Sequence, residues 1–165
     1  MSSRLAQALA GVARHKVTAA ALAISAGGAA FIGSHEGNIL RGYLDPVGIV
    51  TACRGHTATA QLGRIYTPAE CDALFRADIL VAERSVQRLV TYPISQPTYD
   101  ALVSFTFNVG EGNLQRSTLL RKLNAGDVVG ACNELPKWVY ARGVKLPGLV
   151  TRRAEERKLC LEGAQ

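Results

Sequence analysis

Apolar and polar positions along this chain fall into three regimes, and each predicts a different structure. Residues 17–34 (VTAAALAISAGGAAFIGS) carry no charge, and Arg14, His15 and Lys16 come directly before them. Over residues 42–57, β-branched residues are punctuated by Pro46, Gly48 and Gly55, which predicts a small antiparallel sheet or pair of hairpins. Residues 58–66 read as a loop, and beyond them the pattern turns helical. Thr67-Pro68-Ala69-Glu70 has a capping hydroxyl, a proline suited to the first turn and a glutamate that completes a capping box. It opens a helix carrying Leu74, Ile79, Val81 and Val86 and running to about residue 89. A turn around Pro93 leads to a second helix over residues 97–109, apolar on most sides and therefore central, with Gly110 and Gly112 stopping it. Ser117 caps a short helix over 119–123, Asp127 caps another reaching 135 and limited by Pro136, and the last helix spans 149–161. The fold class is α+β: a mostly helical domain with a small antiparallel β lobe near its start and an N-terminal apolar helix.

The uncharged stretch, taken as a helix, rises about 27 Å, close to the hydrocarbon thickness of a bilayer. It is nevertheless weakly hydrophobic. Only Val17, Leu22, Ile24, Phe31 and Ile32 are strongly apolar, and the glycines, Thr18 and Ser25 work against insertion. The basic flank places the N-terminus in the cytoplasm and the rest outside. Three readings fit: a signal peptide cut near Ala29-Ala30, a buried helix of a soluble domain, and a weak anchor that first holds the chain and later slips out.

At 165 residues and 48% hydrophobic, the chain holds one domain with core enough to fold alone, with room for two lobes. Its net charge is +6, yet residues 1–33 contain Arg4, Arg14 and Lys16 and no acid, so the remainder carries 16 basic against 13 acidic residues. That mild surplus suits an anionic bacterial wall or outer membrane, and nucleic acid equally. Four cysteines, Cys53, Cys71, Cys132 and Cys160, show no CxxC and no histidine at zinc-finger spacing, so no metal site is expected. They allow three disulfide connectivities, of which Cys53–Cys71 with Cys132–Cys160 joins nearest neighbours and ties one lobe each. Four buried thiols are the alternative.

Candidate chemistry sits just after the uncharged stretch. Glu36, Asp45 and Thr51 have the spacing Glu-x8-Asp-x5-Thr. A protonated carboxyl, an ionised one and a hydroxyl that holds water suffice to hydrolyse a glycosidic bond. With Gly55-His56-Thr57, Phe107-Asn108-Val109-Gly110 and Trp138, the run from Glu36 to Thr57 resembles the active-site region of the phage-type lysozymes, glycoside hydrolase family 24. The resemblance implies a muramidase that cuts the β-1,4 bond between N-acetylmuramic acid and N-acetylglucosamine and lyses the host. It implies Glu36 as general acid, desolvated beside Phe31 and Ile32, with Asp45 ionised and Thr51 orienting the water. It also implies inversion, with carboxyl groups about 6.5–9.5 Å apart. Asn108, Ser117 and Thr118 are implied to line the far wall of the cleft and bind substrate, and Trp138 and Tyr140 either stack on sugars or pack in the core. No cofactor is expected, and the enzyme is expected to be a monomer.

The leader resembles that of the signal-anchor-release endolysins, a subgroup of the same family. That implies residues 1–34 as an anchor segment and 35–165 as the lysozyme domain. On that resemblance residues 17–34 are expected to associate transiently with the host inner membrane, and the chain is expected then to be released to the periplasm. Glu36 lies three residues beyond Gly33, so the spanning form would pin it at the membrane surface and inactive. Release would let the segment refold against the domain. Rival readings are a wall amidase or peptidase built on Cys53, His56 and Asp45, and a basic nucleic-acid-binding module using the last helix. Arg152-Arg153 and Arg157-Lys158 otherwise read as a solvated face paired locally with Glu155 and Glu156, His35 as exposed, and His56 as structural.

Overall fold

A computed structural model of the chain describes residues 16–164; Arg4, Arg14 and His15 of the basic flank lie outside the described residues. The helices are α1 (Ala26–Ser34), α2 (Pro68–Leu89), α3 (Gln96–Val109), α4 (Glu111–Gln115), α5 (Thr118–Asn124), α6 (Val128–Cys132) and α7 (Pro147–Glu162). Between them lie two antiparallel hairpins, β1 (Ile39–Leu44) with β2 (Val50–Cys53), and β3 (Tyr140–Ala141) with β4 (Val144–Lys145). This is a mostly helical α+β domain.

The centre is α3. Every residue from Thr98 to Thr106 is buried, so this helix has no solvent face over its middle turns. Helices α1, α2, α4 and α7 pack around it. The capping box that opens α2 forms as the sequence predicts: Thr67 Oγ1 accepts from Glu70 N–H, and the Glu70 carboxylate accepts from Thr67 N–H. Ser117 and Asp127 cap α5 and α6 more simply, their side-chain oxygens accepting from Leu120 N–H and Gly130 N–H.

The small lobe is the β1–β2 hairpin, with Ile39 opposite Cys53, Tyr43 opposite Thr51 and Leu44 opposite Val50. Residues 61–66 run along the other edge of β1, bonding Gly42 and Leu40. A Cβ at Gly42 would stand 1.9 Å from the Gln61 carbonyl oxygen, so only glycine lets these backbones approach. A separate apolar cluster of Ala52, Cys53, Tyr66 and Cys71 lies beneath. The Cys53–Cys71 disulfide ties this hairpin to the first turn of α2, and Cys132–Cys160 ties α6 to α7.

The structure departs from the sequence reading in four places. Residues 17–34 do not form one helix here: Val17 bridges Ile94, Ala19–Ala21 make a 3₁₀ turn, residues 22–25 run extended, and only α1 is α-helical. Ala19 and Ile32 from this stretch are fully buried in the main core. Gly112, read as a stop, sits inside α4, because Ser85 and Arg88 grip the Glu111 carboxylate and override glycine's weak helix propensity. The helix read as reaching 135 ends at Cys132, and Leu135–Lys137 with Pro136 continues as a 3₁₀ turn. The β3–β4 hairpin lay hidden in Arg142-Gly143, both of which take positive φ, as a two-residue hairpin turn requires.

Buried Glu134 receives Lys122 Nζ at 2.6 Å and Lys137 Nζ at 2.7 Å. Those two bonds, Lys122's the larger, hold its carboxyl below the usual carboxylate range against the opposing effect of burial. A lowered folded-state pKa contributes stability that is present above the unfolded value and lost as pH falls through the folded one. Thermal melts should therefore show wild type losing more stability than Glu134→Gln on acidification below about pH 4.3. Parallel acid profiles of the two proteins would contradict this.

Candidate active site

Glu36 is delivered by the end of α1. Ser34 closes the helix, His35 caps it, and Glu36 N–H donates to Gly33 O at 3.3 Å. Its side chain keeps only 18% exposure. Oε1 accepts from Arg152 Nη1 at 2.6 Å, across 116 residues of sequence. Oε2 has no hydrogen-bond partner among the described residues and lies on the side of Gly55, whose Cβ position is 3.8 Å away. His35, expected to be exposed, is instead half-buried, edge-on to Phe31 and 3.0 Å from Glu155 through Nε2.

Behind Glu36 runs a buried chain of alternating charge. Arg152 also donates through Nε to Glu156 Oε1 at 3.1 Å and through Nη2 to the Ser104 carbonyl at 3.3 Å. Glu156 accepts from Ser104 Oγ at 2.7 Å and from Arg153 Nη1. Arg153 donates onward to Asn108 Oδ1 and to Trp138 O, and its guanidinium lies 5.0 Å over the Phe105 ring. Burial draws the Arg153 pKa down, and the adjacent Glu156 carboxylate opposes that shift. The two guanidinium groups thus share the buried Glu156 carboxylate at the α3–α7 contact, and Arg152 carries the network on to Glu36 at the edge of the cleft.

This corrects the reading of the last helix as a solvated basic face: Arg152, Arg153 and Glu156 are buried, and Arg152 meets Glu36 directly. The signal was present in the sequence. Counting back by four and by eight from Cys160 lands on Glu156 and Arg152, so a buried Cys160 implies that they face inward too. Of the four basic residues read as that face, Arg152 and Arg153 are internal, and Arg157 and Lys158 lie on the outer side.

The remaining sequence candidates divide clearly. Asp45 stands at the hairpin turn, where Oδ1 accepts from Val47 N–H at 2.9 Å and Ile49 N–H at 2.8 Å. Thr51 is buried on β2 and donates to Ile49 O at 3.2 Å, which leaves its oxygen able to accept from water. The hairpin therefore orders the three groups, Glu36 at the open end, Thr51 along β2 and Asp45 at the turn. A cleft of about 680 Å³ holds Glu36, His35, Asn108, Leu146, Pro147 and Arg152. A second depression of about 290 Å³, bounded by Gly55, Asp78, Ser85, Phe107 and Glu111, adjoins it where Gly55 meets Glu36. Asn108 thus shares the cleft with Glu36. Ser117 does not line it: its hydroxyl donates to Leu114 O and accepts from Leu120 N–H as a helix cap, and Thr118 is exposed beside it. Trp138 packs edge-on against Phe105 in the core, and Tyr140 is exposed.

His56 is structural. It is buried, with Nδ1 2.9 Å from Asp78 and Nε2 2.8 Å from Thr59 Oγ1. Cys53 is held in a disulfide, so the thiolate nucleophile of the amidase reading does not exist in this structure.

The fold is a helical domain with a small β lobe beside a cleft that holds Glu36, and comparison with known proteins gives its class. The phage lysozyme family profile matches residues 33–156. The SAR-endolysin of bacteriophage PS119 is 46% identical over 131 residues, 79% of this chain and 78% of that protein. The muramidase domain of SpmX from Asticaccaulis excentricus superposes with a TM-score of 0.78 at 36% identity, over 84% of this chain and 97% of that one. The active form of the P1 phage endolysin Lyz superposes with a TM-score of 0.76 at 28% identity, over 86% of each chain. The chain belongs to the phage lysozyme family and is a peptidoglycan-cleaving hydrolase.

Removing Arg152 leaves Glu156 and Glu36 short of their shared cation. Arg152→Met should lower unfolding free energy by about 3–5 kcal/mol. Lys158→Ala, on the exposed side of the same helix, should stay within about 0.5 kcal/mol. Urea titrations of the two variants check this, and equal midpoints would contradict the network's role.

Proposed function

We propose that this lysozyme is an endolysin that cuts the β-1,4 bond between N-acetylmuramic acid and N-acetylglucosamine by single displacement, and that residues 17–34 first hold it at the inner membrane. The observation that carries the chemistry is the division of labour on Glu36. Arg152 fixes Oε1, and Oε2 faces the groove beside Gly55 without a protein partner among the described residues. A protonated Oε2 gives its proton to the leaving glycosidic oxygen, and the carboxylate that remains is neutralised where it stands by Arg152. Asp45, with Oδ2 free of partners among the described residues, takes the proton of a water on the opposite face of the sugar, and Thr51 holds that water. Asn108 Oδ1 is committed to Arg153, which leaves its amide N–H groups to donate to a sugar acetamido carbonyl.

The membrane role rests on the uncharged segment and on relatives that are SAR-endolysins. The described fold resembles the active form of P1 Lyz (TM-score 0.76) more than that protein's secreted inactive form (0.60, at 25% identity). Among the described residues no helix is long and apolar enough to cross a membrane, which fits a released state in which the segment has left the bilayer and folded. Cleavage near Ala29-Ala30 would cut α1 in its middle and strip Ala19 from the core. Release of an intact chain is therefore the better account. In the membrane-held form the N-terminus lies in the cytoplasm and the domain in the periplasm, with Glu36 pinned away from Arg152.

Glu36→Gln should abolish lysis of outer-membrane-permeabilised cells, a loss on the order of 10²–10⁴, while the fold is retained. Proton NMR of fresh cleavage products by wild type should show the α-anomer first, as inversion requires. Lysis by Glu36→Gln at the wild-type rate ends the muramidase assignment, and an initial β-anomer ends the single-displacement mechanism.

A further inference from the structure

Four polar side chains that the mechanism does not use converge on four consecutive residues of the N-terminal segment. Glu83 and Gln87 come from α2, Gln96 and Asp100 from α3, each pair four residues apart and so on one helix face. Gln87 Nε2 donates to Leu22 O at 2.8 Å, and Gln96 Nε2 donates to Ala23 O at 2.9 Å. Glu83 Oε1 accepts from Ile24 N–H at 2.5 Å, and Asp100 Oδ1 accepts from Ser25 N–H at 3.1 Å. Residues 22–25 are thus read in order through two carbonyls and two amides. Ser25 alone adds a side-chain contact, donating to Asp100 Oδ2 at 2.5 Å.

We propose that Glu83, Gln87, Gln96 and Asp100 form a backbone-reading seat for residues 22–25 and are positioning residues for Glu36. This deepens the anchor-release reading and rests on it. A segment that must enter a bilayer cannot carry charges with which to dock, so the folded domain supplies all the polarity and addresses the groups that every residue has. Glu83 and Asp100 are both buried, and neither is in a salt bridge among the described residues. Their donors are the amides of Ile24 and Ser25, the Ser25 hydroxyl, Gln96 and the Tyr99 hydroxyl. When the segment lies in the membrane the seat loses its occupant, and both carboxylates are left to water. Docking therefore replaces hydration with fixed hydrogen bonds and draws the segment onto the domain.

The seat acts on the chemistry through α1. Ser25, once placed, caps that helix by accepting from Gly28 N–H at 2.9 Å. A Cβ at Gly28 would stand 2.6 Å from Asp100 Cγ, so only glycine lets the helix settle this closely on α3. From there α1 is a strut of nine residues whose far end carries His35 and then Glu36 to Arg152. An empty or misread seat leaves the near end of the strut unfixed, and Glu36 loses its register against Arg152 and Gly55.

The test uses purified, soluble, full-length protein. Glu83→Gln keeps a carbonyl oxygen for the Ile24 amide, whereas Glu83→Met removes it. The double variant Gln87→Met with Gln96→Met deletes both amide donors at half-buried positions, and so serves should Glu83→Met fail to fold. Amide hydrogen exchange is read at residues 22–25 and at 119–123 in α5, and kcat and KM are measured on purified peptidoglycan. Glu83→Met and the double variant should speed exchange at 22–25 about tenfold, leave α5 unchanged, and lower kcat about tenfold with KM within about twofold. Glu83→Gln should restore the wild-type pattern. Unchanged exchange at 22–25 in the double variant overturns the proposal. So does faster exchange with undiminished kcat, or a kcat loss matched by lost protection in α5. Membrane fractionation of the chain before release is a separate readout: its failure removes the anchor role and leaves the seat, judged by kcat, in force.

Discussion

Arg152 is the hinge of the molecule's logic, because a single guanidinium joins the end of the N-terminal segment to the last helix. It binds Glu36 on one side and Glu156 on the other while also touching Ser104 of the central helix. A buried cation of this kind has no good substitute for its partners, so the elements that carry them must arrive together. Helix α1 brings Glu36, α3 brings Ser104 and Asn108, and α7 brings both arginines and Glu156. Glu36, the proposed acid, is placed at the groove by the same contacts that close the fold. With Glu36 as the proposed acid, stability and catalysis draw on one network, and damage to either side of it reaches the other.

The N-terminal segment lives under two opposed constraints. In the proposed anchor role it must be free of charge to enter a bilayer, and weakly hydrophobic to leave it, since each of its few strong apolar residues contributes only about 0.3–0.6 kcal/mol to insertion. In the folded protein the same composition serves close packing. Ala19, Gly28 and Ile32 are buried, and small residues let α1 lie tightly on α3. Polarity for holding the segment comes from the domain rather than from the segment. This is why a stretch that reads as a poor membrane helix also makes a serviceable part of a soluble core.

Much of this was legible in the sequence where the signal is local. Caps at Thr67, Ser117 and Asp127, the proline at position 68 and the turn residues of the first hairpin act over a few residues, and they form as read. The Glu36, Asp45 and Thr51 spacing was visible because two of the three share one hairpin. What stayed hidden was decided by distant partners. Arg152 and Arg153 look like surface charges until Glu36, Glu156 and Asn108 are brought to them from far along the chain. Gly112 reads as a stop until Ser85 and Arg88 fix Glu111 beside it. The extended path of residues 22–25 meets Glu83, Gln87, Gln96 and Asp100, four residues with no pattern in common until two helices face each other. Ser117, read both as a helix cap and as a residue of the cleft wall, is seen here as the cap.

In the proposed mechanism the active enzyme is the chain with its N-terminal segment still attached and folded into the domain. Intact-mass spectrometry of the active, soluble enzyme recovered from lysing cells tests it most directly. The account predicts a mass that includes residues 17–34. A fully active species trimmed near Ala30 would contradict it, because such a chain has neither the occupant of the seat nor the strut that holds Glu36 against Arg152.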